Sequence, residues 1–390
     1  MTSAVAVTGV GAVTPLGVGA AVLTDRLAAG ETGLGAGEGH CAEFDAGDFL
    51  TRRERRRNAR FSQLALVAAE EALEQAGWLA GLPYPAERVR CVVGTGLGGV
   101  PEGSQGGAAS PLTVPLMMSN SAAAALSTRY GLGGESFATS GACAAGAQAI
   151  GVALGAIRRG EAAAAVVGGA EAVLLPLVRD SFAEAGALSP TGRCLPFDAG
   201  RDGFVMGEGA GILVLESVEG ARARGATIHG LVLGYGASSD AHHLTAPAPD
   251  GVPAARAIRR ALSDAGVTPA DLCYINAHGT GTQLNDEAEI RALRLALGEA
   301  LASVPLSSTK AATGHLFGAG GAVEAIATLG ALRAGLAPAT YGLSEPDARL
   351  GAVDHITSAR SLSPGPNRAV GLSDSLGFGG HNAVLVLGAP

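Results

Sequence analysis

Residues 143–160 read CAAGAQAIGVALGAIRRG and residues 318–335 read GAGGAVEAIATLGALRAG, and the two stretches align without a gap. The alignment matches Gly146 to Gly321, Ala147 to Ala322, Gly155 to Gly330, Arg158 to Arg333 and Gly160 to Gly335. Each stretch reads as a helix of small residues that could pack closely against the other. The echo continues outward. A helical pattern over 61–78 contains Ala72-Leu73-Glu74-Gln75-Ala76-Gly77, and a second over 253–267 contains Ala261-Leu262-Ser263-Asp264-Ala265-Gly266. Both glycines stand where a helix stops. Each is followed by a short β-like run, 89–93 and 272–277, that leads into Gly-Thr-Gly, at 94–96 and at 279–281. Helices alternating with short apolar strands imply mixed or parallel sheets covered by helices. The repeated order predicts an α/β protein of two similarly folded halves, 1–225 and 226–390.

Composition agrees with that reading and excludes several function classes. A chain of 390 residues exceeds the usual single-domain size, and 60 glycines with 47% hydrophobic and 16% charged residues suit close backbone packing. A net charge of −8 argues against general nucleic-acid or membrane-surface binding, although six arginines between Arg52 and Arg60 form a local basic run. Cys41, Cys91, Cys143, Cys194 and Cys273 are odd in number and form no CxxC pair, so neither a disulfide framework nor a zinc site is expected. That usage fits a reducing cytoplasm. Residues 1–19 lack a basic stretch ahead of their apolar part, and the apolar run 162–178 is broken by Gly168, Gly169, Glu171 and Pro176, so neither a signal peptide nor a membrane span is expected.

Lys310 is the single lysine against 26 arginines, and it lies in Ser307-Ser308-Thr309-Lys310-Ala311-Ala312-Thr313-Gly314-His315. A lysine ammonium is a compact charge on a flexible stem, unlike the planar arginine fork, so the position either needs an ammonium or is a surface residue that escaped the bias. Cys143 follows a short β-like run and precedes a helix, which places its sulfur near a helix N-terminus. There aligned N–H groups would favour thiolate and could hold an oxyanion formed from a thioester. Taken alone, Cys143 also reads as a small buried hydrophobe. His278 follows the strand-like 274–277 and opens His278-Gly279-Thr280-Gly281-Thr282, while His315 opens a second helix in Gly314-His315-Leu316-Phe317. Each histidine alone has an ordinary structural reading. Together with Cys143 they supply a nucleophile and two imidazoles able to donate hydrogen bonds to a developing enolate or carbonyl oxygen.

Gly141-Ala142-Cys143, Asn276-Ala277-His278-Gly279-Thr280-Gly281-Thr282, Ser308 through His315 and Gly377-Phe378-Gly379-Gly380 resemble the β-ketoacyl-(acyl carrier protein) synthases, condensing enzymes of fatty-acid and polyketide synthesis. Similarity continues through Pro196-Phe197-Asp198, Arg201-Asp202-Gly203-Phe204, Gly207-Glu208-Gly209-Ala210-Gly211 and Ser238-Ser239-Asp240-Ala241-His242-His243, so it covers nearly the whole chain. The resemblance implies a thiolase fold, with duplicated halves in a five-layer αβαβα arrangement, working as a homodimer or with a homologous subunit. It implies that Cys143 takes an acyl chain from acyl carrier protein, and that His278 and His315 promote decarboxylation of a malonyl thioester whose enolate attacks the acyl-Cys143 thioester. Lys310 would order the histidines by hydrogen bonds and pair with Glu324. Backbone N–H groups of Cys143 and Phe378 would form the oxyanion hole, with Phe378 and Gly379 on the gating loop. Thr280, Thr282, Phe204 and Met117 would contact the substrate or its phosphopantetheine arm. Arg53, Arg56 and Arg57 are candidates for docking acidic carrier protein. No metal and no cofactor of the chain's own are implied.

Departures narrow the expectation. The stretch between Gly98 and Asn120 is shorter than in housekeeping synthases, Ala144-Ala145 follows the nucleophile, Asp374-Ser375-Leu376 stands where Asn-Ser-Phe is common, and His381 replaces a usual Thr. These changes point to specialised polyketide or secondary-metabolite synthesis. Three other readings compete. Gly94-Thr95-Gly96-Leu97-Gly98-Gly99 satisfies G-x-G-x-x-G, but Pro101 to Gly107 follow where an NAD(P)-dependent oxidoreductase needs a helix. A noncatalytic, chain-length-determining subunit usually lacks the cysteine that this chain has. Thiolase-like acyl exchange uses two cysteines instead of two histidines.

Overall fold

Period-2 alternation puts one face of each strand toward a central pair of helices and the other toward an outer layer. The computed structural model describes residues 4–35, 37–100, 110–363, 365 and 368–390. Strands β1 (Val5–Thr14), β2 (Gly17–Val18), β3 (Val89–Gly94), β4 (Ser136–Thr139), β5 (Ala164–Glu171) and β6 (Gly209–Ser217) come from the first part of the chain. Strands β7 (Gly230–Ser239), β8 (Leu272–Asn276), β9 (Leu306–Ser307), β10 (Leu336–Ala337), β11 (Arg360–Ser361), β12 (Val370–Gly377) and β13 (His381–Gly388) follow. The main sheet runs β4-β3-β5-β6-β1-β7-β13-β12-β8-β9, with β2 on β1. Read outward from the short antiparallel β1/β7 contact, Val5↔Val232 to Val7↔Gly230, the two sides carry the same sequence of parallel and antiparallel pairings. β8, β12 and β13 thus repeat β3, β5 and β6.

Along β5, Ala165 and Val167 face the helices Ala145–Arg158 and Gly320–Ala334, whereas Ala164 and Val166 face the outer helices Arg60–Gln75 and Ser121–Tyr130. Along β13, Leu385 and Leu387 face the same central helices, while Val384 and Val386 face Val252–Ala265 and Gln283–Leu297. Helix, sheet, helix pair, sheet and helix therefore stack as five layers, the thiolase architecture. Gly77 and Gly266 end their helices with φ of 74° and 67°, a conformation glycine adopts without steric cost. One part of the repeat is out of register. Gly94 pairs with Thr139 and Gly169, and its counterpart Asn276 pairs with Ser307 and Ser373. The two Gly-Thr-Gly triplets are therefore not structural equivalents, because the second begins three residues beyond its strand. Pro101 to Gly107 lie outside the described residues, as does part of the short stretch between Gly98 and Asn120.

The central helices meet backbone to backbone. A Cβ on Gly146 would fall 2.9 Å from Ala322 N and Gly318 O, and one on Gly321 would fall 2.8 Å from Ala147 N. Each helix is preceded by a 3₁₀ turn, Ala142–Ala144 and Phe317–Ala319, whose first residue is left-handed, Ala142 at φ 49° and Phe317 at φ 45°. The two strained turns are thus a duplicated feature brought together by the glycine contact. Gly155 differs, since a Cβ there meets only the mobile end of Arg159. We expect Gly146→Ala to lower the denaturation midpoint, costing about 1–3 kcal/mol through overpacking. Gly155→Ala should raise it by about 0.5–1 kcal/mol through helix propensity. Equal effects in chemical denaturation would contradict this contrast.

Candidate active site

The strained turn Ala142–Ala144 holds Cys143 at the base of a cavity of about 450 Å³ whose lining includes His278, His315, Thr280, Thr282, Phe204 and Phe378. Cys143 Sγ lies 3.0 Å from His315 Nε2. The His278 and His315 rings are 5.4 Å apart and nearly perpendicular. His315 does not open a helix as its sequence context predicts. It is an extended residue held by main-chain bonds to Val205 and Gly207, because left-handed Phe317 delays the helix to Gly320.

Burial governs the charge states. It pushes the Cys143 thiol up to about 12, against a weaker opposing pull from Lys310 and the Phe378 N–H. That rise corresponds to about 4 kcal/mol, several times the roughly 0.3–1 kcal/mol available from a helix N-terminus. The expected resting thiolate is therefore replaced by a neutral thiol. Burial first and the Lys310 charge second hold both imidazoles well below the ordinary histidine range, so both are neutral. A neutral thiol beside neutral imidazoles suits proton movement during acyl transfer and hydrogen-bond donation to a developing oxyanion.

Lys310 is 1% exposed and pairs with Glu324, itself buried on the second central helix. Among the described residues its Nζ donates to Glu324 and to neither imidazole, so its effect on the histidines is electrostatic. Burial of Glu324 raises its carboxyl despite the pairing. At the roof, a Cβ on Gly377 would lie 3.1 Å from Cys143 N, and the Phe378 N–H points to the Cys143 sulfur. Gly379 N instead donates to Leu244 O at 2.7 Å, tying the loop to 240–247. Its N–H is committed away from the sulfur, and the His381 ring packs over its α-carbon.

The structure separates some expected contacts from the cavity. Met117 is 40% exposed on helix Thr113–Met117 and does not line it. Arg53, Arg56 and Arg57 are exposed on helix Arg52–Arg57, which Thr51 and Glu54 cap reciprocally. Arg60 folds back onto buried Glu208, with both nitrogen-oxygen contacts at 2.6 Å, and leaves the basic face. The G-x-G-x-x-G segment has no free cradle for a pyrophosphate, because the Gly96 and Leu97 N–H groups are taken by Glu171.

Other contributors lay outside the motif reading. Phe182 packs on Phe204, Phe317 and Phe378 with centroids at 5.4, 5.4 and 6.0 Å, so four of the nine phenylalanines meet around the cysteine. Asp286 and Glu289, three residues apart on one helix, collect the backbone N–H groups of His278, Gly279, Thr280 and Gly281. The Asp-x-x-Glu spacing eight residues beyond His278 is the signal that could have revealed this clamp.

The fold is that of a condensing enzyme of the thiolase type, with one cysteine and two histidines gathered in its cavity. Residues 35–221 match the β-ketoacyl synthase N-terminal domain and 229–344 its C-terminal domain. The chain is 41% identical to 3-oxoacyl-[acyl-carrier-protein] synthase 2 of Synechocystis sp., over 98% of this chain and 97% of the relative. A β-ketoacyl synthase structure from Burkholderia phymatum superposes with a TM-score of 0.90 at 32% identity, and the ishigamide ketosynthase/chain length factor with 0.88 at 33%, each covering 100% of both chains. The chain belongs to the β-ketoacyl synthase family, and it is a ketosynthase, an acyltransferase that forms β-ketoacyl thioesters. The raised thiol predicts that alkylation of Cys143, followed by intact mass, accelerates with pH throughout the range in which the fold survives; a plateau near the free-cysteine value of about 8.5 would contradict it.

Proposed function

We propose that the chain performs decarboxylative Claisen condensation between an acyl group carried on Cys143 and a malonyl thioester on acyl carrier protein. The observation that carries this reading is the 3.0 Å Cys143–His315 contact beside a second neutral imidazole. In the first half-reaction the thiol sulfur attacks the acyl thioester carbonyl, and its proton leaves through His315 to the departing pantetheine sulfur. Main-chain N–H groups of Cys143 and Phe378 receive the oxyanion. In the second, the malonyl carbon–carboxylate bond breaks, CO₂ leaves, and the electron pair forms an enolate whose oxygen accepts hydrogen bonds from His278 and His315. Its carbon attacks the acyl-Cys143 carbonyl and expels the Cys143 sulfur, which takes up a proton. Lys310 and Glu324 act by fixing the electrostatics behind both rings.

Thr280 and Thr282, whose hydroxyls are 3.0 Å apart on the cavity wall, hold the phosphopantetheine arm brought by the carrier protein. Exposed Arg53, Arg56 and Arg57 receive that protein's acidic face, in line with the relative's name. Exposed Val114, Met117 and Met118 support coverage by an identical or homologous subunit, on which Met117 would complete a neighbouring acyl pocket. The mirrored strand order supports a division into halves at 225/226. Five free cysteines, all buried, support work in a reducing cytoplasm; no helix among the described residues is long and apolar enough to cross a membrane. Leu376, His381 and the short 98–120 stretch support a specialised polyketide or secondary-metabolite role, as does likeness to the ishigamide ketosynthase/chain length factor. Fatty-acid extension is the second reading, favoured by the higher identity to the Synechocystis synthase. A panel of acyl-carrier thioesters separates them by chain preference.

Intact mass after mixing with such thioesters should show an acyl adduct that Cys143→Ala abolishes; an unmodified wild type across the panel would sink the proposal. Lys310→Arg keeps the charge but replaces a compact ammonium with a fixed fork. Acylation should stay near wild type while malonyl decarboxylation falls at least about tenfold. Unchanged decarboxylation would remove Lys310 from the mechanism.

A further inference from the structure

Three carboxylates stand behind His278, and one of them has no evident task. Glu289 Oε1 and Asp374 Oδ1 both accept the single His278 N–H, at 2.6 and 2.9 Å. Glu289 Oε2 also takes the Gly279 N–H at 2.8 Å, whereas Asp374 Oδ2 is buried and, among the described residues, has no hydrogen-bond donor or cation as a partner. The two side chains are 0% and 1% exposed and come from different elements, the helix Gln283–Leu297 and strand β12. Two full negative charges cannot share one N–H donor in such a place without water or a cation between them.

We propose that Glu289 and Asp374 share one proton, and that this acid pair is a positioning element that fixes the main chain of His278 for the malonyl half-reaction. The proton sits between the carboxyl groups, giving Asp374 Oδ2 its missing partner and leaving one net negative charge for the His278 and Gly279 N–H groups. Burial is the first cause that raises both groups, Glu289 well above its ordinary value with the neighbouring Asp374 charge adding to it, and Asp374 to about 6 against the opposing pull of its hydrogen bond with Glu289. The surroundings are mixed. Asp286 on the same helix and Glu324 on the second central helix add negative charge, Lys310 offsets it, and the His278 ring is neutral. On β8 the Tyr274 hydroxyl bonds to Ser307 and is held above its ordinary range.

Folding favours the protonated forms, so the pair carries two protons below the lower ionisation at about 6, holds the single shared proton at neutral pH, and loses it as pH rises through the upper ionisation. Repulsion between two buried carboxylates then displaces the His278 main chain. His315, held through Val205 and Gly207, is unaffected. Decarboxylation should therefore have an alkaline limb that Cys143 acylation lacks.

The inference rests on the reading that His278 serves malonyl decarboxylation, and a His278→Ala control tests that part separately. The variant for the pair is Asp374→Asn, whose amide donates to Glu289 and still accepts the His278 N–H without sharing a proton. Decarboxylation of malonyl-carrier thioester and acylation of Cys143 are measured across pH for both proteins. We expect Asp374→Asn to shift the alkaline limb of decarboxylation upward by about one pH unit or more, each protein being normalised to its own neutral-pH rate, with Cys143 acylation unchanged. An infrared difference spectrum at neutral pH should show a protonated-carboxyl C=O band in the wild type that the variant lacks, a readout that holds even if activity falls. Coincident alkaline limbs in the two proteins, absence of a limb in the wild type, or absence of that band would each overturn the proposal. Decarboxylation that survives His278→Ala would instead overturn the underlying role of His278.

Discussion

Everything at the site depends on two central helices meeting with no side chain between them. Gly146 and Gly321 bring each helix's backbone against the first turn of the other, closer than any Cβ allows. The turns that precede these helices are left-handed at Ala142 and Phe317, and the contact sets them face to face. Strain of that kind persists where surrounding packing over-determines it, and five layers of helix and sheet supply the packing. The consequence is chemical. Cys143 from one half reaches His315 of the other at hydrogen-bond distance, although 172 residues separate them.

The second governing effect is desolvation. It outweighs the helix terminus at Cys143, and at the two histidines it acts in the same direction as the Lys310 charge, leaving all three groups neutral. Charges remain one step behind the reacting atoms. Lys310 and Glu324 pair on one side, and the carboxylates of Asp286, Glu289 and Asp374 hold the His278 loop by its main chain on the other. An arrangement preorganised in this way contributes electrostatic stabilisation without reorganising as oxyanions form.

Much of this was legible in the sequence because duplication leaves matched local signals. The paired small-residue helices, the glycine stops and the order of elements gave the layered architecture, and the motifs around Cys143, His278, Lys310 and His315 gave the residues that converge. What was hidden depends on three-dimensional register. The two Gly-Thr-Gly triplets look equivalent in the chain, yet strand pairing offsets them by three residues. Phe182 lies on the exposed-looking helix Pro176–Glu184, far from any motif, and joins the aromatic wall only through tertiary folding. Asp286 and Glu289 show in the chain only as an Asp-x-x-Glu spacing after His278, and it is the tertiary fold that sets four consecutive N–H groups opposite them. The resting thiol was misjudged for a related reason: a helix start is visible in sequence, while the depth of burial that outweighs it is not.

The central claim is that one neutral cysteine and two neutral histidines couple decarboxylation to carbon–carbon bond formation. A single-turnover experiment tests it most directly: enzyme pre-acylated on Cys143 and freed of donor is mixed with carboxyl-labelled malonyl-carrier thioester, and released CO₂ and β-ketoacyl product are quantified together. The account predicts equal amounts of both, matching the acyl-enzyme consumed, with Cys143 recovered as free thiol. An acyl-enzyme that persists, or CO₂ released without product, would contradict it.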